Sequence, residues 1–557
     1  MKASVIVLAL ALGTSAAATT HLVCPDGTGE YPTIQAAITA TFPGDTIVLA
    51  DGTFRGEGNR DLDYVGKAIV IRSQAGSPAD CTLDCEGSSD RPHRAFGFHS
   101  AETESSVLES ITVVNGWAYP VEPMFDDPNG GAIYCFQSAP TIRNCVFTSN
   151  SAGHRGGAIF VYGAAPRIED CTLADNSSET EGGGICLVYS DAVVTHCRFA
   201  ENISWRGGGA DCRGPGFRCQ FRDCWFMDNQ AAQHGGGLHS DAAAVSITSS
   251  QFLGNVAQVH GGAIKIDFAS NDPSYVTSCT VSGNTAAFGG GLALLHGLAY
   301  VDSCTIYENT ASHQGGGVWV WDESMWMRNS TLAQNTAPLG ASVSYNYLYH
   351  DTELLANTIL AFGRVGQAVY YDGAGTEPEF GLTCCDIYGN AGGDWVGDIA
   401  NQYGMNGNIS LPPLFCGDAN PLEPYTLHSD SPCAPGFNPD CSLIGAWPVG
   451  CGAASDLGRE SQPAPIGSPD LSFPNPFVAG AAIRFDMHVA GEARLTIHDV
   501  SGRVVRNLTA LPAAGPGSYR VAWDGKGDNG RCVYAGVYFA RLTFVSTALT
   551  RQLDLIK

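Results

Sequence analysis

Charge is scarce in this chain, and positive charge scarcer still. Of 557 residues only 15% are charged, with 29 Lys and Arg against 55 Asp and Glu. The formal net charge of −26 repels phosphate backbones and anionic lipid, and no basic run offsets it. Nucleic acid is therefore not an expected partner. Long apolar runs are missing as well: beyond the first residues nothing reaches the ~18 consecutive apolar residues of a membrane-spanning helix. Paired CxxC spacings, the usual mark of structural zinc, do not occur, and no resident metal or other cofactor is expected. Glycoside-hydrolase signatures such as Asn-Thr-Asp or Gly-His-Gly are absent, as is a serine nucleophile elbow.

What the chain does have is 68 glycines and 20 cysteines. So many cysteines suit an oxidising compartment. The N-terminus agrees, because Lys2, the apolar run Val5 to Leu12 and Ala16-Ala17-Ala18 have the layout of a signal peptide over residues 1–18. A secreted or cell-surface protein, with no transmembrane segment, is the expectation.

Between residues 110 and 390 one order of residues returns. Cys145, Cys171, Cys197, Cys224, Ser250, Cys279, Cys304 and Ser330 share a position, and each is followed five residues later by Asn, from Asn150 to Asn335. Glycine pairs or triplets come next, beginning at Gly156, Gly182, Gly207, Gly235, Gly261, Gly289 and Gly315. After the glycines stand short runs such as Ala-Ile-Phe-Val and Val-Trp-Val-Trp, alternating with period two. Helical periodicity is absent from the repeats, which excludes helical arrays and the strand-plus-helix solenoids. A period of about 26 residues built from short strands predicts a parallel β-helix of about 12 coils, with Gly and Asn at its corners. In-register rungs hold neighbouring Cβ atoms farther apart than the ~3.8 Å of a disulfide, so the cysteine column reads as buried free thiols. Better disulfide candidates are Cys81 with Cys85, Cys212 with Cys219, and Cys433 with Cys441.

The GGA[IL] and Asn signature resembles the short repeats of chlamydial polymorphic outer-membrane proteins and of right-handed parallel β-helix proteins with the pectin-lyase-like fold. The opening GTGEYPTIQAAITATFPGDTIVLADGTF is similar to the start of such proteins. There Thr33 is placed to cap a short helix whose Ile34, Ala37 and Ile38 cover the first coil. The expected fold is all-β: a right-handed parallel β-helix over 19–452, a Pro-rich linker over 453–470, and an Ig-like β-sandwich over 471–557. In that last segment Phe473-Pro474-Asn475-Pro476-Phe477, Trp523-Asp524-Gly525 and Ala535 to Phe539 resemble the Ig-like domain of flagellar hook-capping proteins and the sorting domains of type IX secretion. The resemblance implies secretion machinery as a partner and an outer-membrane-associated location.

With Ile185, Ala210, Leu238, Ile264 and Val318 turned inward, the next residues point out. Asp211, His239 and Lys265 then form one row, with Arg213, Asp241 and Asp267 beside it and Trp319 and Trp321 at one end. Such a face is a charge-compensated solvated surface, a binding surface for a sugar chain or a host or environmental surface, or a catalytic site. In the catalytic case Asp241 and Asp267 would hold a calcium ion or act as acid and base. The histidines near the glycine corners, His154, His234, His260 and His313, read as exposed turn residues. The function expected is non-catalytic adhesion or carbohydrate binding, with a polysaccharide lyase or glycoside hydrolase as the alternative.

Overall fold

The computed structural model describes residues 18–119, 128–267, 272–322, 324–346, 354–372, 381–417, 424–438 and 441–452, together with the strands and some connecting residues between 471 and 556. The signal-peptide segment up to residue 17, the linker 453–470 and several motif residues of the C-terminal part, Phe473 to Pro476, Asp524 and Ala535 among them, lie outside the described residues. The chain divides into two compact units, one of residues 1–414 and 430–448 and one of 415–429 and 449–557.

The first unit is a stack of parallel coils. Each central coil contributes four short strands, as in Ile133–Phe136, Thr141–Arg143, Val146–Thr148 and Ser151–Ala152. Every strand pairs with its counterpart about 26 residues later: Ile133 opposes Ile159, Thr141 opposes Arg167, Val146 opposes Thr172 and Ser151 opposes Ser177. Among the described residues the first sheet, through Thr141–Arg143, has 14 strands, the second, through Val146–Thr148, 13, the third, through Ile133–Phe136, 12, and the fourth, through Ser151–Ala152, eight. The stack is thus longer than about 12 coils. The additional coils are N-terminal, where strands such as Thr20–Val23 and Thr46–Leu49 pair without the Cys, Asn and Gly signature.

A helix of Ile34–Ala40 closes the N-terminal end. Thr33 Oγ1 accepts a hydrogen bond from the Ala36 N–H at 3.3 Å, and Ile34, Ala37 and Ile38 are buried, as the opening segment implied. The inward residues form a single core in which Phe199, Phe226 and Phe252 stack with centroids 4.6 and 4.5 Å apart.

The asparagine column is a continuous amide ladder. The Asn150 N–H and Nδ2 both donate to Asn176 Oδ1 at 3.0 Å, Asn176 repeats this to Asn202, and the pattern runs on to Asn335. The left-handed residue of that corner is not Asn but the one before it, such as Asp175 at φ 55° or Asp228 at 52°. The Asn instead turns inward and satisfies backbone groups that the corner leaves over. Two glycines are required for different reasons. Gly235 has φ 62°, while Gly236 has an ordinary φ but approaches its neighbour so closely that a Cβ would run into the carbonyl oxygen of Gly262.

Cys145, Cys171, Cys197, Cys224, Cys279 and Cys304 are buried and free. The expected disulfides are not formed. Cys441 joins Cys384, not Cys433, and Cys416 joins Cys451, while Cys81, Cys85, Cys212, Cys219 and Cys433 are free thiols. The bridges run from Cys384, at the corner after strand Gly381–Thr383, and from Cys451, in strand Val449–Cys451, to Cys441 and Cys416 in segments that do not repeat, where sequence spacing carries no information about proximity.

In the second unit, antiparallel strands Ala481–Met487 and Gly517–Trp523 form one sheet with Leu471–Ser472, and Gly491–Asp499, Val504–Ala514, Gly536–Phe544 and Thr547–Ile556 a second with Phe477–Val478. Its core holds Ile483, Leu495, Ile497, Trp523, Tyr538 and Leu542.

Replacing Gly236 with Val should destabilise the coil stack by about 1–3 kcal/mol, because the obstacle is backbone that cannot rotate away. Unchanged thermal unfolding of the Gly236→Val protein would contradict this account of the corner.

Candidate functional site

The outward side of the third sheet carries the residues singled out from the sequence. Register puts Cys186, Asp211, His239, Lys265, Ala293 and Trp319 on consecutive rungs, and Asp241 directly opposite Asp267. Arg213 leaves that register, since it bridges to Ala242. The row does not meet solvent as an outward column was expected to: Asp211 is 0%, His239 1% and Lys265 4% exposed. The reason is the glycine corner. It bends the chain so sharply that the fourth sheet and the residues after it fold over the third. His234 lies 6.0 Å from His239 between ring centroids, His260 stacks on Trp319 at 4.9 Å, and Trp319 Nε1 donates to Gln314 Oε1 at 3.2 Å.

Within this fold-over the charges form one alternating string. Arg155 Nε binds Glu181 at 2.8 Å, Arg213 reaches Glu181 at 3.1 Å and Asp211 at 2.8 Å, and Asp211 Oδ2 takes His239 Nδ1 at 2.6 Å. His239 Nε2 lies 3.5 Å from Lys265 Nζ, which donates to Asp267 at 2.7 Å, and Asp267 meets His296 at 3.1 Å. Burial and then the Lys265 charge hold His239 well below the ordinary histidine range, so its ring is neutral, donating through Nδ1 and turning the Nε2 lone pair to the ammonium. Burial pushes the Asp211 carboxyl up to about 7, against the pull of Arg213. Burial also works against the Arg213 charge, but Asp211 and Glu181 raise its pKa. Asp267 is lowered, burial being outweighed by Lys265 and His296.

The string leaves only its rim accessible. Asp241, whose side chain is 42% exposed, is 3.5 Å from Arg213, and Asp267 is 31% exposed. Trp319 is buried and Trp321 half-buried, their centroids 5.6 Å apart. On the N-terminal side Tyr134, Phe136, Phe160 and Tyr162 make a second aromatic cluster, with Phe136 and Tyr162 stacked at 5.3 Å. His234 and His260 are not exposed turn residues. They stack at 4.8 Å, half-buried, and the Nδ1 of each is buried without a hydrogen-bond partner among the described residues. Among the described residues no group of three or more His, Cys, Asp and Glu is arranged to hold a metal ion.

A further recess on this face lies in coils that sequence reasoning passed over, because they lack the repeat signature. A cleft of about 260 Å³ opens among Asp61, Asp63, His93, Arg94, Trp117 and Tyr134. His93 Nδ1 pairs with Asp61 Oδ2 at 2.7 Å, and the Arg94 guanidinium sits 5.1 Å from the Tyr134 ring centroid. The available signal was RDLD at 60–63 and RPHRAFGFH at 91–99, where polar and aromatic residues alternate at strand period.

Residues 123–286 match the family model described as right handed beta helix region, and residues 475–547 match the FlgD Ig-like domain. The coil stack is a right-handed parallel β-helix. No curated protein matches the chain. Among solved structures, a variant of the PL6 family alginate lyase AlyGC is similar over 83% of this chain and 61% of that one, at 13% identity and a TM-score of 0.48. This chain thus spans less than two thirds of that lyase. The periplasmic alginate epimerase AlgG is similar over 66% of this chain and 84% of its own, at 12% identity and a TM-score of 0.35. The catalytic unit of a GH87 alpha-1,3-glucanase from Streptomyces thermodiastaticus strain HF3-3 is similar over 68% and 70%, at 15% and 0.38. These likenesses concern the fold of the β-helix.

Two outcomes test the string. Asp211→Ala should destabilise by roughly 3–5 kcal/mol in chemical denaturation, since Arg213 loses a buried partner, whereas Glu169→Ala, which breaks an exposed pair with Arg167, should cost about 1 kcal/mol or less. The second concerns acid. Burial, then Lys265, lowers His234 to about 3 and His260 to about 4, with His239, His260 and Arg206 further lowering His234 and Asp267 pulling His260 the other way. As pH falls from about 6.5 to about 4 the unfolded chain binds protons at these rings that the folded one refuses, so they remove stability. The raised Asp211 carboxyl acts in the opposite sense over that window. His234→Gln with His260→Gln should therefore shrink the drop in melting temperature between pH 7 and pH 4.5, and an equal drop in both proteins would refute the assignment.

Proposed function

We propose that this is an exported, cell-surface protein whose β-helix binds a polysaccharide along the outward face of the third sheet without turning it over. The observation that carries the reading is the state of the central charges. The central titratable groups, Asp211, His239 and Lys265, are engaged with one another and closed from solvent, while hydrogen-bonding and aromatic groups at the rim, Asp241, Asp267, Tyr162 and Trp321, keep part of their surface. Twelve rungs about 4.8 Å apart give the face a length of roughly 53 Å, suited to a polymer. The cations of its central coils, Arg155, Arg213 and Lys265, each have a carboxylate partner, and the chain is strongly acidic. That combination favours a neutral glycan over a polyuronate. Export follows from the signal-peptide pattern, and sorting to the surface from the likeness of residues 475–547 to the FlgD Ig-like domain, read as a type IX secretion signal.

A second reading, a lyase or hydrolase, draws on one feature: Asp241 and Asp267 stand side by side, partly exposed, with Lys265 against one of them. Screening the purified protein on a glycan array while monitoring product release separates the two. The expected outcome is binding of neutral polymers without turnover, weakened about tenfold by Trp321→Ala. Turnover lost on Asp241→Asn with Asp267→Asn would establish the enzyme reading instead, and the absence of any bound glycan would discard the face.

A further inference from the structure

The cleft in the N-terminal coils owes its existence to one residue. On the third sheet Leu62, Phe96 and Ile133 are opposite one another and point inward, fully buried. The following residues, Asp63, Gly97 and Tyr134, are therefore the outward rungs, since side chains alternate along a strand. Gly97 supplies no side chain, and the outward ladder has a gap one residue wide between a carboxylate and an aromatic ring. Its φ is not in the left-handed region and a Cβ there would meet only the His99 ring, at 3.2 Å, so backbone geometry does not demand glycine. The gap itself is what the glycine provides.

The groups around the gap are unlike the central string in that they are not closed on one another. Asp61 is engaged, accepting from His93 Nδ1 at 2.7 Å and from the Arg94 N–H at 3.0 Å. Asp63 is less so: its Oδ1 accepts the Val65 N–H at 2.7 Å, but among the described residues its Oδ2 meets only His99 Nε2 at 3.8 Å, beyond hydrogen-bond reach. Trp117 and Tyr119, stacked at 5.1 Å, also line the cleft, and the Trp117 Nε1 is a buried donor without a partner among the described residues. A carboxylate oxygen with open acceptor sites facing aromatic walls recognises vicinal hydroxyls on a carbon ring. The volume of about 260 Å³ falls below the roughly 300–1,000 Å³ of drug-sized ligand sites, which limits the occupant to a single ring.

Resting on the reading of the long face as a glycan-binding surface, we propose that this cleft is a separate subsite for one neutral terminal hexose, Asp63 accepting its hydroxyls and Trp117 and Tyr134 flanking its apolar edge. The two carboxylates at the cleft, Asp61 and Asp63, outnumber its one guanidinium, that of Arg94 beside the Tyr134 ring, and so act against a uronic acid.

Titration calorimetry of the full chain with methyl hexopyranosides and with the matching methyl hexuronosides tests this directly. The expected result is saturable binding of a hexoside, no binding of its uronoside, loss of at least tenfold in affinity on Asp63→Asn, and abolition on Gly97→Leu, whose side chain fills the gap, with the melting temperature of both variants retained. Trp321→Ala, on distant rungs, should leave hexoside affinity unchanged. Failure of every hexoside to bind, equal binding of the uronoside, or full affinity in a folded Gly97→Leu protein would overturn the proposal. The two readings fail separately: a polymer that binds while hexosides do not leaves the long face and removes the cleft, and a hexoside that binds no more weakly than any polymer leaves the cleft and removes the long face.

Discussion

Every backbone hydrogen bond between strands of this β-helix runs to the coil above or below, so each corner has to repeat in the same place, rung after rung, at the strand spacing of about 4.8 Å. Corners are where that is hardest, because a turn leaves backbone donors and acceptors unpaired and crowds successive coils. The asparagine ladder meets the first difficulty by carrying the N–H of each corner into the side chain of the next. The paired glycines meet the second, one by its left-handed backbone and one by having no Cβ to strike the next carbonyl. Strand register, core stacking and the alignment of outward side chains all follow from corners that superimpose.

Superposition has a cost for charge. A residue on the third sheet has neighbours fixed by the repeat, about 26 positions away in either direction, and the glycine corner brings the preceding sheet down on top of it. A carboxylate placed there loses water as well as freedom. The chain answers with strict alternation, Arg155, Glu181, Arg213, Asp211, His239, Lys265 and Asp267, in which each charge lies within 4 Å of an opposite one or a neutral imidazole. Once paired and buried these groups have little capacity left for a substrate, because most of their strong acceptors and donors are already engaged. The N-terminal cleft differs because a missing side chain marks it: Gly97 leaves a gap in the outward ladder beside Asp63, whose Oδ2 has no hydrogen-bond partner among the described residues.

The repeat itself was legible in the sequence, and with it the strands, the inward residues, the free cysteine column and the cap helix under Thr33, since periodicity in a solenoid is a direct image of stacking. The C-terminal sandwich was legible from alternating runs and turn residues. The extent of the stack was not, because coils such as Thr46–Leu49 and Val70–Ser73 keep the geometry while dropping the signature. Nor was the disulfide pairing, which joins Cys384 to Cys441 at a sequence separation of 57.

At the candidate site the sequence by itself determined which residues share a column: Asp211, His239 and Lys265 had to stand in line once the period was known. Only the tertiary structure decided what became of them. Whether an outward residue meets water depends on how sharply the chain turns at Gly207, Gly235 and Gly261 and on what lies beyond the turn. Arg206, His234 and Phe288 come down on the face from a strand that the repeat marks merely as the residues before a glycine. Periodicity records contacts between equivalent positions in successive coils, whereas burial of this face arises from contacts between different positions within one coil, and those leave no period of their own.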